Sequence, residues 1–448
     1  MLDFGTVFAI VTGYKKHNNI MKRFLLITMM TVLCKTVFSQ GTNENVLRLS
    51  LREAQEHALQ NNRTMWNANL SVTEAQRRTW EVISAGLPQI NASVDYSNML
   101  GFEMNFLGMG IPMPPTSNFQ ATVTQLLFSA SYWVGIRMSR IGQQMSETAR
   151  LQAELDIRHQ TQSAYQMVLI VEENRRLLEQ NLEHIRTLAE STENMVRVGV
   201  AQQTDADRLN IQVSTMLLAI QNVDRNIEMA YNLLRFHLGV DSRTEIVLTE
   251  TLEQLLETKD VNRVLDMNLD MNANHNMQLL EGQVELANMQ ISLERASTLP
   301  TIAMFYNYTH RITEPAFSMT PDHIIGFQAT IPIFASGQRH ARTQQARIGL
   351  ERAQNNRDLV ANQLLMQESQ LRFNLRTAVE TFELQRTTVE LSQRVFDDVS
   401  RRYEHGMASV LDVTIANTEL LQAQTHYVNA MMQVFSAQSE LENLLGIN

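Results

Sequence analysis

The chain has 448 residues, with 37 lysines and arginines against 47 acids, 44% hydrophobic residues and a single cysteine. Its acidic balance argues against nucleic acid as a partner, and one cysteine cannot build a disulfide framework or a thiolate metal site. Ala, Leu, Gln, Glu, Arg, Asn and Met recur throughout, and these residues favour helix.

Residues 1–39 read as a leader and signal peptide. Met21 opens MKRFLLITMMTVLCKTVFSQ, two basic residues and an apolar run that ends on Val37 and Ser39 at small-residue cleavage positions. This is the pattern of a secretory signal cut between Ser39 and Gln40, with Met21 as the start. The alternative, a membrane-spanning helix, would need ~20 apolar residues in a row. Lipidation of Cys34 would want a small residue before it, and Leu33 stands there. Cleavage leaves 32 cationic residues against 46 acidic ones and no thiol.

All eight prolines fall between Pro88 and Pro115 or between Pro300 and Pro332. Proline lacks the N–H a helix interior needs and clashes with the preceding turn, so everything outside those windows is free to form long helix. In the first half (40–240) the expected order is a helix over 50–85, a β-hairpin over about 88–128 and a long helix over 131–196. A glycine turn at about 197–203 and a returning helix follow. At 1.5 Å per residue the long helix would extend about 100 Å. An acidic connecting segment, 241–260, is expected to hold a short helix. The second half (261–448) repeats the order: a helix over 261–297, a hairpin over about 300–334, a long helix over 338–403, a turn at about 404–410 and a returning helix.

The hairpins rest on period-two alternation. In Gln89 to Tyr96 the apolar Ile90, Ala92, Val94 and Tyr96 alternate with polar residues, and FQAT occurs at both 119–122 and 327–330. Strands of this kind have one wet and one apolar face. Thr301 to Thr309 alternates less cleanly, because Phe305 falls on the polar side. The returning helices rest on period seven. Val413, Leu420, Tyr427, Val434 and Leu441 form one row, and Ala416, Ala423, Ala430, Ala437 and Leu444 the other. The earlier copy has Val213, Ile220, Ile227 and Leu234 beside Leu209, Met216, Val223 and Ala230. A strict heptad seam demands a partner helix along it. Each copy opens on a glycine, Gly199 or Gly406, with Asp205 or Asp412 six residues on, and ends on Leu-Gly. The chain is an internal duplication. Four strands cannot close a barrel, and lipid tolerates no open sheet edge, so membrane insertion would require several chains to pool their hairpins.

In RVGVAQQTDA, RRYEHGMASVLDV, TIPIFASGQRHAR and the paired Leu-Gly endings, in this order and in two copies, the chain resembles the TolC family of outer-membrane efflux proteins. The resemblance covers essentially the whole mature chain. It implies a mainly α fold with a small β part: a homotrimer forming a twelve-stranded β-barrel in the outer membrane of a Gram-negative bacterium, continued by an α-helical periplasmic tunnel. It also implies a passive exit duct for a tripartite efflux or type I secretion system, with a periplasmic adaptor, an inner-membrane transporter and outer-membrane lipid as partners, and neither enzymatic activity nor a cofactor. The alternative from another class is a non-pore coiled-coil protein of the periplasm or cell surface, for which the alternating strands would have no use.

By the same resemblance the turns Gly199, Val200, Ala201 and Gly406, Met407, Ala408 are where the adaptor docks. Glycine alone explains a turn at positive φ; it does not explain the apolar Val200 and Met407 at an exposed tip. Asp412, Asp205 and Tyr403 match a periplasmic gate. Asp412 would line the closed tunnel mouth, and Tyr403 would pair with Asp205 together with an arginine. The arginine position holds Ala408, with Arg402 and Arg197 nearby. The bland reading of Asp412 is an exposed acid in a helix's first turn, where it suits the macrodipole. The loop between the first two strands brings Met99, Met104, Met109 and Met113 close together in sequence. Thioethers bind Cu(I), but irregular spacing and the lack of a histidine favour a loop packing its own apolar tip. No catalytic constellation of histidine, serine or glycine-rich loop is present.

Overall fold

A computed structural model describes residues 46–106, 109–112, 114–258, 261–313 and 321–447. The proposed signal, Cys34 and Met113 lie outside them. The described residues divide into two compact units: the small one comprises 46–48 and Arg243–Val247, and the large one falls within 49–242 and 248–447. In the small unit the backbone N–H of Leu47 donates to the carbonyl of Glu245 at 2.8 Å, within the pairing of β1 (Leu47–Leu49) with β6 (Ile246–Leu248).

The large unit is mainly helical, with a small sheet part. Its helices are α1 (Leu51–Asn61), α2 (Arg63–Ser84), α3 (Ala130–Arg197), α4 (Gln203–Leu238), α5 (Leu252–Thr258), α6 (Val261–Asp266), α7 (His275–Ala296), α8 (Gln338–Glu404) and α9 (Val410–Leu445). The strands β2 (Gln89–Ser97), β5 (Thr116–Ser129), β7 (Thr301–Arg311) and β8 (His323–Thr330) form an antiparallel sheet in the order β2-β5-β7-β8.

Three local expectations need correction. The single helix expected over 50–85 is two helices broken at Asn62, whose backbone is extended (φ −66°, ψ 131°). Asparagine suits this break because its side chain replaces lost backbone bonds. Its Oδ1 accepts from the Thr64 N–H at 2.7 Å, capping α2, while its Nδ2 donates to the His237 carbonyl at 2.8 Å. The helix expected over 261–297 is interrupted by residues 267–274. There Asp270 accepts from the Asn272 N–H at 2.9 Å and Asn274 caps α7 through the Met277 N–H at 3.2 Å. Short polar side chains again outcompete the helical backbone. The guanidinium of Arg372 fixes the interruption, donating to the carbonyls of Leu265 and Met267. The connecting segment holds the helix α5 and also strand β6, three residues too short to read as a strand. A small hairpin, β3 (Glu103–Phe106) with β4 (Met109–Pro112), occupies the methionine-rich connection.

The heptad seams are the core of the large unit. On α9, Val413, Leu420, Val434 and Leu441 are buried, as are Ala416, Ala423, Ala430, Ala437 and Leu444. On α4, Leu209, Met216, Ile220, Val223, Ala230 and Leu234 are buried likewise. Each fully buried aliphatic side chain is worth about 1.5–3 kcal/mol, and an exposed ion pair such as Arg52 with Glu56 at most ~1 kcal/mol. The seams therefore hold the hairpins. A further row on α9, Val410, Asn417, Gln424, Met431 and Gln438, is also buried. It belongs to the side of α9 near α3, where Gln162 donates to Glu442 at 2.9 Å and the hydroxyls of Ser163 and Ser439 lie 3.3 Å apart.

Register fixes the two faces of the sheet. Ile90 pairs with Val123, Val94 with Phe119, and Phe327 with Met304 on one face; Asn91 pairs with Thr122 and Asn307 with Thr122 on the other. The first face is apolar and its Ile90, Val94, Tyr96, Ile325 and Phe327 are exposed. The second is laced by side-chain bonds, Asn118 to Asp95 at 3.0 Å and Thr122 to Asn307. Phe305, on the polar face, stands opposite Gly326, and a Cβ built there would come within 2.7 Å of its ring. An aromatic ring that covers a glycine across a strand pair accounts for the break in alternation.

Candidate docking tips and gate

Both long hairpins reverse through the same capped turn. At the end of α3, Gly199 adopts φ +77°; the N–H of Val200 donates to the Met195 carbonyl at 2.9 Å and that of Gly199 to the Val196 carbonyl at 3.0 Å. At the end of α8, Gly406 adopts φ +72°, and the N–H groups of Met407 and Gly406 donate to Arg402 at 2.8 Å and Tyr403 at 2.9 Å. This pairing of bonds is the Schellman motif, which needs a left-handed residue at its centre. The motif fixes what its neighbours present: Val200 is 77% exposed and Met407 70% exposed. Ala201 and Ala408 are half-buried, and Ala408 packs on the core below. The first tip thus displays Val198, 73% exposed, beside Val200, and the second displays Met407.

That core is shared by both hairpins. Leu188, Ala189, Leu209, Phe396, Tyr403, Val410, Val413 and Ala416 belong to one buried cluster. Tyr403 is buried, and its hydroxyl lies 2.9 Å from Thr192 Oγ1. Burial is the main reason its pKa is raised, and the charge of Asp205 raises it further. Asp205 is close enough to act on Tyr403 electrostatically, but its own hydrogen bond is local: Oδ2 accepts from the Gln202 N–H at 3.3 Å. Among the described residues Tyr403 makes no hydrogen bond to Asp205, and Arg402 pairs within its own helix with Asp398 at 2.9 Å.

Asp412 is exposed and forms a capping box with Ser409. Its Oδ2 accepts from the Ser409 N–H at 2.9 Å and from Ser409 Oγ at 2.7 Å, while its own N–H donates to Ser409 Oγ at 3.2 Å. These bonds, backbone first, hold its pKa below the usual carboxylate value. The Ser-x-x-Asp pattern at 409–412 was a readable signal for this cap. Thr192 carried no such signal, since only the packing of α3 on α8 brings it to Tyr403.

Of the four methionines, three lie in the described residues. Met99 is exposed, Met104 stands opposite Ile111 and Met109 opposite Phe106 in the small hairpin, and Met113 lies outside the described residues. The described residues contain no group of three or more His, Cys, Asp or Glu positioned for a metal ion.

This architecture has known counterparts. The profile of a family described as outer membrane efflux protein matches residues 55–240 and 270–447. The outer membrane protein TolC of Vibrio cholerae is 22% identical over 395 residues, covering 84% of this chain and 87% of that protein. In fold, the chain is similar to the outer membrane protein VceC of Vibrio cholerae, with a TM-score of 0.71 at 16% identity over 89% of this chain and 96% of that one. It is likewise similar to the MtrE outer membrane channel of Neisseria gonorrhoeae, with a TM-score of 0.70 at 17% identity and 89% of each chain covered.

Proposed function

The chain belongs to the outer membrane efflux protein family, and on that premise we propose that three copies assemble into the exit duct of a tripartite efflux or type I secretion system. Like its relatives it is an outer-membrane protein of a Gram-negative bacterium that extends into the periplasm. The observation that carries the trimeric duct is the open sheet. It has one exposed apolar face, one polar face, and edge strands β2 and β8 that each pair on one side alone among the described residues. A spanning barrel needs about eight strands or more, and no edge survives in lipid. Three chains would supply twelve strands, with the apolar face toward lipid and the polar face lining the lumen.

The helices support the same closure. On α2, Trp66, Leu70 and Trp80 share an exposed stripe, and on α8 Ile348, Leu359, Met366 and Phe373 are exposed. Stripes of this size rarely stay wet, and a ring of copies would lay one on the other. The exposed Val200 and Met407 are then the contacts offered to a periplasmic adaptor, which bridges to an inner-membrane transporter. Asp412, Asp205 and Tyr403 form the gate of this proposal. In detergent the purified protein is expected to sediment as a trimer and, in planar bilayers, to form ion-conducting channels. A monomer with full helical content would overturn the reading.

A further inference from the structure

Where each strand pair hands over to a long helix, the chain changes character twice in the same order. Across the end of β5 and the start of α3, Leu127, Phe128 and Trp133 are exposed apolar side chains; Arg137 and Arg140 follow, and no acid occurs from Ala130 to Ser146. After β8, Ile331, Ile333 and Phe334 are exposed, with Ile333 at 90%; Arg339, His340, Arg342 and Arg347 follow, and the first acid is Glu351. Such stretches run against the acidic composition of the chain, and Arg339 and His340 also stand in the first turn of α8, where the macrodipole favours acids over cations. In contrast, the four arginines of α3 between residues 150 and 176 each pair with a carboxylate, as in Arg150 with Glu147 at 2.9 Å and Arg175 with Asp224 at 2.6 Å. Among the described residues Arg137, Arg140, Arg342 and Arg347 have no ion pair, and all four are exposed. Arg339 donates to the Pro332 carbonyl at 2.8 Å.

The faces of α3 are fixed by its neighbours. Tyr132 donates to the Ile83 carbonyl at 2.9 Å and Ser139 bonds Thr79 at 2.9 Å, so these positions face α2; Met145 lies against Gly282 of α7. Trp133, Arg137 and Arg140, at i, i+4 and i+7, share a remaining face. Trp133 to Arg140 spans about 10 Å of helix axis, comparable to the headgroup layer beside a bilayer's hydrocarbon. An indole followed by guanidinium groups suits that layer, since Trp favours the interface and Arg matches phosphate oxygens with a planar fork.

We propose that these two strand-to-helix junctions form a cationic collar that binds the phosphodiester headgroups of anionic phospholipids in the membrane leaflet nearest the helices. The collar rests on the barrel reading, which supplies the bilayer level at which it sits.

The test uses the full-length mature protein reconstituted in phosphatidylcholine vesicles containing brominated phosphatidylglycerol or, in a parallel series, brominated phosphatidylcholine, with tryptophan quenching as the readout. The wild type is expected to favour phosphatidylglycerol by about fivefold, roughly the attraction of one to two interfacial cations, and to lose the preference in high salt. The quadruple variant R137Q/R140Q/R342Q/R347Q should show none. R186Q/R208Q/R376Q/R394Q, which removes the same charge from exposed arginines elsewhere on α3, α4 and α8, should retain it. An unchanged preference in the first variant overturns the collar. So does an unchanged preference accompanied by altered ion selectivity in planar bilayers, which would put the arginines in the lumen. Quenching by neither brominated lipid would instead sink the barrel reading beneath it.

Discussion

Tyr403 of α8 and Thr192 of α3 meet through a buried hydroxyl pair at 2.9 Å, which ties the second long hairpin to the first just below the tips. The donor can be assigned. Thr192 Oγ1 already donates to the Leu188 carbonyl at 2.8 Å, so the proton between the two hydroxyls is tyrosine's. Replacing Tyr403 with Phe then removes a donor whose acceptor retains another bond, at about 0.5–1.5 kcal/mol. Replacing Thr192 with Val strands the tyrosine hydroxyl in the core, at about 1–3 kcal/mol. Urea unfolding should rank T192V as the more damaging. The reverse order would mean that the donor assignment is wrong.

The two Leu-Gly endings look equivalent in sequence and differ in surroundings. Gly239 and Gly446 both sit at positive φ, +71° and +70°. A Cβ on Gly239 would come within 2.4 Å of the Asn61 carbonyl oxygen, whereas one on Gly446 meets nothing within 4 Å. Backbone cannot yield as a flexible side chain can. G446A is expected to cost about 1–2 kcal/mol, the penalty of a left-handed residue with a Cβ. G239A adds a backbone clash to that strain and should cost several times more, read as a larger drop in thermal midpoint. Equal drops would refute the close approach of α4's end to the break at Asn62.

His237 makes the acid side of the stability profile testable. It lines a cavity of about 310 Å³ with Asp156 and His159 of α3 and Glu440 of α9. Burial lowers its pKa from 6.5. A depressed histidine favours the neutral form in the folded state, so its contribution is complete above pH 6.5 and is lost as pH falls through the folded value. Thermal midpoints should therefore decline below pH 6.5, and H237Q should flatten that part of the curve. A decline of equal slope in the variant would mean that His237 is not its source.

What could be read in advance follows from period and punctuation. The alternation of Ile90, Val94 and Tyr96 and the heptads of α4 and α9 are one-dimensional imprints of a face, and the burial of Leu209 and Leu441 repeats them. The breaks at Asn62 and at residues 267–274 were hidden because asparagine and aspartate are tolerated in helices; only the neighbours decide for a break, the His237 carbonyl by accepting from the Asn62 side chain and the Arg372 guanidinium by donating to the carbonyls of Leu265 and Met267. At the candidate gate the glycine turns were legible because φ near +75° demands glycine. The Tyr403–Thr192 pair was not, since it joins residues of two helices whose relative rotation no local pattern encodes. The second buried row of α9, with Asn417 and Gln424 in it, was masked for a related reason: buried amides look like solvent-facing ones in sequence.

One substitution can separate the cap that Asp412 forms from the gate role proposed for it. As a cap, its carboxylate serves Ser409, and its lowered pKa keeps it ionised unless the pH falls well into the acid range. As a gate residue, three copies would crowd a narrow mouth with like charges, and the resulting field would select cations. Asparagine retains an acceptor for the Ser409 N–H while discarding the charge; alanine discards both. If the carboxylates line the mouth, D412N and D412A should both raise single-channel conductance and weaken cation selectivity in planar bilayers, and block by a trivalent cation should weaken with them. The cap adds a second signature, since only D412A should also lower the thermal midpoint. If D412N has wild-type conductance and selectivity while D412A is merely less stable, Asp412 is a cap alone, and the constriction must be sought elsewhere, first at the exposed Leu411 and Ile415 on the neighbouring face of α9.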